Sequence, residues 1–141
     1  MTDIMEIARA MAEAVAGNRA LVRDLGAVTV EIGFDAERQD WSEAAPFAVL
    51  EPLSSVPDSA GYEEHSLEMV LGVADSFRSE RDGFTESAGH ALLSGIFLPE
   101  CLGAFASLPW QIDVESVTYS AEEQPLYLAD VTLAVRIPAP V

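Results

Sequence analysis

Few residues of this 141-residue chain could do acid–base or metal chemistry, and their spacing suits them poorly to it. His65 follows Glu63 and Glu64, with Glu68 three positions further on. An imidazole among three carboxylates could ligate a divalent cation. In a strand, however, side chains alternate between faces, so Glu64 and Glu68 point away from His65, and Glu63 falls in the preceding loop. The cluster therefore reads as a solvated strand edge. His90 lies on a helical stretch eleven residues before Cys101, the one cysteine, and a thiol with an imidazole can form a nucleophile pair. At the rise of a straight helix that separation is about 16 Å, beyond hydrogen-bond reach. Cys101 then reads as a buried structural thiol.

The other candidates lead to the same place. Ser42, Ser54 and Ser55 lack the Gly-x-Ser-x-Gly setting of a hydrolase nucleophile. Gly89, Gly95 and Gly103 are spread along helical sequence and form no phosphate-cradling loop. Gly89 and Gly95 suit close helix–sheet packing instead. The seven basic residues are all arginines, scattered from Arg9 to Arg136, and make no basic patch. Arginine's planar fork suits bidentate pairing with carboxylates across subunit contacts. No catalytic, cofactor-binding or metal-ligating residue is assigned from the sequence.

Composition sets the outer bounds. The length suits one domain with a proper core, and half the residues are apolar, so the chain as a whole should fold. With 24 acidic and 7 basic residues the net charge is −17, which repels nucleic acid and anionic membrane surfaces alike. A lone cysteine fits a reducing compartment. Acidic residues occupy the N-terminus where a secretory signal needs positive charge, and the longest apolar run, 91–98, is broken by Ser94, Gly95 and then Pro99. The expectation is a soluble protein made in the cytoplasm.

The elements that must position these side chains follow from periodicity. Ile4, Ile7, Ala8, Met11 and Val15 mark an amphipathic helix over 2–16, with Thr2 as N-cap and Gly17-Asn18 as the stop. A further helical turn or two is expected over 19–25. Val28, Val30, Ile32 and Phe34 alternate in a strand over 27–34. The acidic stretch 35–45 around Trp41 reads as a loop or hairpin arm. Pro46 and Pro52 bracket a short strand, 47–50, placed near a sheet edge. The stretch 52–64, rich in Pro, Ser and Gly, reads as a mobile loop that orders on docking to a neighbour. Leu67, Met69, Leu71 and Val73 give the buried face of a strand over 65–75, and 76–83 reads as a charged connector. Thr85 should cap a second helix running to Leu98, with Pro99 either ending it or opening a continuation to Ala106. Two strands close the chain on either side of a turn at 121–125. In the second of them Tyr127, Ala129, Val131, Leu133, Val135 and Ile137 face one way; its long edge is a candidate for subunit contact. The fold class expected is α+β, a mainly antiparallel sheet of about five strands with two helices packed on one face.

This order of elements resembles the tail terminator, or tail completion, proteins of long-tailed bacteriophages. The resemblance rests on the N-terminal helix, a strand ending near Phe34, the Pro46-Phe47-Ala48-Val49-Leu50 strand, and the strand from His65 to Asp75. It continues through the helix from Thr85 to Leu98 and the final hairpin with Ile112-Asp113-Val114 and Tyr127-Leu128-Ala129-Asp130-Val131. It spans nearly the whole chain and is one of pattern and length, without a sharp motif. It implies a structural virion protein with no catalysis and no cofactor. Such a protein forms a homo-hexameric ring at the head-proximal end of the tail, ends tube polymerisation, and meets both the tail tube protein and the head connector or head-completion protein. DNA passes through its lumen without specific binding, and no membrane is involved. Ring contacts would map loosely onto 35–45 and 52–64, and the acids of 35–43 would face the lumen. Head–tail joining and tail-tube subunits share the plan. A small cytosolic ligand-binding module or enzyme is the alternative from another class.

Overall fold

The computed structural model describes residues 1–57, 61–75, 78–121 and 125–138. Two helices come first, α1 (Ile4–Ala16) and α2 (Arg19–Leu25). Ile7, Ala8, Met11, Ala12 and Val15 form the buried stripe of α1. Asp3, rather than Thr2, caps it by accepting a hydrogen bond from the Met5 N–H. Asn18 stops α1 and also caps α2, accepting from the Ala20 and Leu21 N–H groups, while its amide donates to the Glu100 carbonyl.

One five-stranded sheet carries the fold. Its strands are β1 (Thr29–Ile32), β2 (Phe47–Pro57), β3 (Tyr62–Ala74), β6 (Gln111–Ser120) and β7 (Leu126–Pro138), in the order β1-β2-β3-β7-β6. All neighbours are antiparallel except β1 and β2, which run parallel. Gly33, at φ 86°, ends β1 in a conformation that suits glycine. The sheet is thus two long hairpins, β2–β3 and β6–β7, joined along β3 and β7. Both long helical segments lie on one face, over Leu50, Leu67, Met69, Leu71, Val131, Leu133 and their neighbours. The expected α+β architecture is the observed one.

Four expectations are corrected. The strand opening at Pro46 lies next to the edge strand, as expected, but does not stop at Pro52: it runs to Pro57, flanked by β1 only from Phe47 to Leu50, with a bulge between Pro52 and Ser54 that takes up the irregularity the proline introduces. The stretch 52–64 is accordingly strand rather than loop through Pro57 and again from Tyr62; residues 58–60 lie outside the described set. Nor does the final strand offer a free edge, because β7 is paired on both sides. Lastly, Thr85 does not cap a helix. It lies in a small hairpin of β4 (Arg78–Arg81) and β5 (Phe84–Ser87), turned at Asp82-Gly83 with φ of 53° and 84°. Residues 76 and 77 of the expected connector, and 122–124 of the final turn, lie outside the described residues.

The second helical segment is capped two residues later than expected, by Ser87, which accepts the His90 N–H. It continues without a break through α4 (Ala88–Leu92), a π-helical stretch (Leu93–Phe97) and α5 (Leu98–Phe105). The wide turn just before Pro99 accommodates the proline ring and its missing N–H, so the helix passes the proline instead of ending there. By length and composition Ala88–Phe105 could cross a membrane, yet in this fold Leu93, Phe97, Leu98, Cys101 and Phe105 are buried in the core beneath the sheet. Gly89 lies under the Tyr127 ring, where a Cβ would sit 2.4 Å from a ring carbon, so a side chain there would drive helix and sheet apart. At Gly95 a Cβ would meet nothing within 4 Å, and the packing role expected of it is not found.

Candidate functional site

Three features could carry function: a buried polar network, the outer sheet face, and the exposed margins of the sheet. The network is the largest departure from the sequence reading. His65 is fully enclosed and Glu63 is 3% exposed, so this cluster is no solvated edge. Glu63 belongs to β3, not to a loop, and therefore faces the same way as His65, two residues on. The His65 Nε2–H donates to Glu63 Oε1 at 3.1 Å, and Ser55 Oγ lies 2.7 Å from Nδ1, directly across the β2–β3 pair. The Thr2 N–H donates to the same carboxylate oxygen at 2.9 Å. Glu64 and Glu68 point to the other face, as their parity requires.

Serine, histidine and glutamate in a hydrogen-bonded row is the arrangement of a nucleophile relay. Burial decides against that role. A general base must hand its proton to a leaving group, and an imidazole with no exposed surface has no side to offer a substrate. The network instead fastens the start of α1 to the far half of the β2–β3 hairpin. Each polar atom is satisfied in a setting where an unpaired one would cost about 1–3 kcal/mol. The hydrogen bonds from Thr2, and then from His65, hold the Glu63 carboxyl down from 4.5 to about 2. A group depressed on folding contributes stability that is complete above its unfolded value and is lost as the pH falls through the window from 4.5 to about 2. Acid titration of stability should therefore be shallower across that window for Glu63→Gln than for the natural chain. Parallel acid limbs would remove Glu63 from the account.

Cys101 is buried, and burial pushes its thiol up to about 12, with the Glu100 charge adding to the effect. It is an inert core thiol. His90 packs edge-on against Tyr127, with ring centroids 4.8 Å apart, and against Tyr119 at 6.4 Å.

The outer sheet face shows a grid set by register. Phe47, Gly72, Leu128 and Ser120 form one row across β2, β3, β7 and β6. Val49, Val70, Asp130 and Thr118 form the next, and Glu51, Glu68, Thr132 and Ser116 the third. The apolar row is partly roofed by residues 34–45, which include α3 (Trp41–Ala44). Trp41 stacks on Phe34 at 5.1 Å and tilts against Phe47 at 4.9 Å. The Glu51 carboxylate accepts the Phe34 N–H and pins the start of this segment. Arg38 lies over the Trp41 ring and is held by Glu31 and Asp40. The acidic stretch around Trp41 is thus an anchored roof on the sheet, which periodicity alone did not reveal.

At the margins, β6 is an edge strand along its whole length. β1 covers β2 only from Phe47 to Leu50, so among the described residues no strand pairs with the outer side of Ser54–Pro57. Leu53, Val56 and Tyr62, each about half exposed, stand at this hairpin end. On the other margin a hollow of about 250 Å³ lies between α5 and β6, lined by Leu102, Phe105, Trp110, Ile112 and Val114.

These features define an α+β domain with one helix-covered sheet face, one acidic face carrying an aromatic roof, and two unlike apolar margins. No protein-family model matches the chain, and no curated protein matches it either.

Proposed function

We propose that this chain is a structural virion subunit of the tail-terminator kind, closing into a homo-hexameric ring at the head-proximal end of a phage tail tube. The observation that carries the reading is the pair of unlike apolar margins. Closed cyclic assembly needs a heterologous contact, in which one patch of a subunit meets a different patch of the next. The protruding Leu53, Val56 and Tyr62 at the β2–β3 hairpin end, and the hollow between α5 and β6, are such a pair. The bulge and prolines of β2, with Asp113 and Glu115 on β6, guard both edges against unselective strand pairing. In the ring the tube protein and the head connector would meet opposite rims, and DNA would pass through the centre. A charge of −17 keeps the phosphate backbone from adhering to such a conduit and makes free subunits repel one another at low salt.

The test is a charge placed in the protruding patch. Val56 is 55% exposed and faces away from the buried network, opposite Glu64 across the β2–β3 pair, so Val56→Asp should still fold, at a cost of about 1 kcal/mol from the lost β-branched side chain and the facing like charge. The same variant should fail to form rings or to complete tails. Normal tail completion by Val56→Asp, or by an aspartate at Val114 in the hollow, would count against these margins as the ring contact.

A further inference from the structure

We propose that the outer sheet face is a docking site for a basic segment of a partner protein, which seats one large apolar side chain under the aromatic roof and lays its cationic groups across the acidic rows beside it. The inference does not depend on the ring, since a single subunit carries the whole surface.

The first observation is a cavity. Phe34, Trp41, Phe47, Val70, Leu126 and Leu128 line a space of about 240 Å³ between the roof and β7. Small-molecule sites run from about 300 to 1,000 Å³, so this one suits a single side chain better than a whole ligand. Phe34 leaves half its surface exposed at the rim, although it is stacked on Trp41.

The second observation is charge. One row from the cavity lies Asp130, beside Val70, and the next row pairs Glu51 with Glu68. Glu31 stands opposite Val49 on β1, and Glu64 lies two rows beyond Glu68. Among the described residues, two cations share this face. Arg38 is already held by Glu31 and Asp40, and Arg136, at the far end, faces Asp113 at 4.0 Å. The half-buried carboxyls of Glu68 and Asp130 are both pushed up by burial, and Glu68 also by the charges of Asp130 and Glu51. A cation laid across them would relieve that repulsion.

The same charge argues against other occupants. The like face of a second copy would set acid against acid, while nucleic acid and anionic lipid bring phosphate. What fits is an apolar anchor flanked by lysine or arginine.

The probe is a peptide with one leucine flanked by lysines, titrated into the labelled protein while amide shifts are followed. Shifts should centre on Trp41, Val70, Leu128 and Asp130. Replacing the leucine by alanine, or the lysines by glutamates, should each weaken binding about tenfold or more, which is ~1.4 kcal/mol. Glu68→Gln with Asp130→Asn should weaken it by a similar factor, and added salt should mimic that loss. Both substitutions remove charges that folding disfavours, so unfolding would not explain a lost signal. Leu128→Ser should abolish the contribution of the leucine while leaving the salt dependence. Shifts centred elsewhere, or affinity indifferent to the leucine, would overturn the proposal. So would self-association that Leu128→Ser abolishes, since it would make a second copy the occupant.

Discussion

Replacing His65 by alanine should destabilise the fold by about 2–4 kcal/mol, among the largest losses of any single polar residue here. Two effects add. The imidazole is fully enclosed, so its removal leaves a cavity in the β2–β3 hairpin beneath α1. It also bridges Ser55 and Glu63, and deleting the bridge strips both of a buried partner. Denaturant titration gives the result directly, as a lower midpoint with an unchanged slope. Ser55→Ala should cost less, about 1 kcal/mol, because a half-buried hydroxyl can be replaced without a large void. A double-mutant cycle between positions 55 and 65 should show coupling, since the two side chains touch. Additive losses, or a His65→Ala cost below about 0.5 kcal/mol, would mean that the network fastens nothing.

The second large effect is expected at Gly72. The Phe47 ring lies over this glycine so closely that a Cβ would stand 2.2 Å from the ring Cζ. The ring cannot stay, and it is itself buried against Trp41. Gly72→Ala should cost about 1–3 kcal/mol through overpacking. It should also disturb the Trp41 stack and close or reshape the cavity beneath the roof. Near-ultraviolet circular dichroism reports the aromatic change, and denaturant titration the stability. Gly95→Ala is the control. Nothing opposes a methyl there, and removal of a helical glycine should be neutral or stabilising by up to about 1 kcal/mol. Equal effects at the two positions would argue against the ring-over-glycine packing.

Much of the scaffold was legible because its signals are local. The stripe of α1, the alternation of β3 and the faces of β7 are set by the period of each element, and all three are found where the sequence puts them. The element boundaries are less legible, because punctuating residues do not act alone. Pro52 looked like a strand end, but a bulge beside it lets β2 run on. Pro99 left ending and continuation open, and the π turn ahead of it decided for continuation. Asp82-Gly83 is a hairpin signal that the charges around it mask.

The buried network was missed for a different reason. Once the loop is taken to extend to Glu64, Glu63 cannot share a face with His65, and the wrong boundary hides the pair. A strand extended by two residues would have put Glu63, His65, Leu67 and Met69 on one buried face, and an acid and an imidazole buried there together would have called for a partner. Ser55 and Thr2 had no such signal. Their closeness to Glu63 and His65 comes from cross-strand register and from the approach of α1 to the sheet, which one-dimensional spacing does not carry. The same holds for the aromatic cavity, to which Phe34, Trp41 and Phe47 come from one part of the chain and Val70, Leu126 and Leu128 from others.

The direct test of ring closure is the symmetry of the assembled particle. Electron microscopy of tails completed by this protein should show one ring of six copies at the head-proximal end, with the hairpin end bearing Val56 against the α5–β6 hollow of the next subunit. Its inner wall should be at least as acidic as its outer surface, and the purified protein should show no salt-dependent affinity for duplex DNA. A single copy, a symmetry other than six-fold, or a protein that stays a monomer or dimer and fills its cavity with a small ligand would contradict the account.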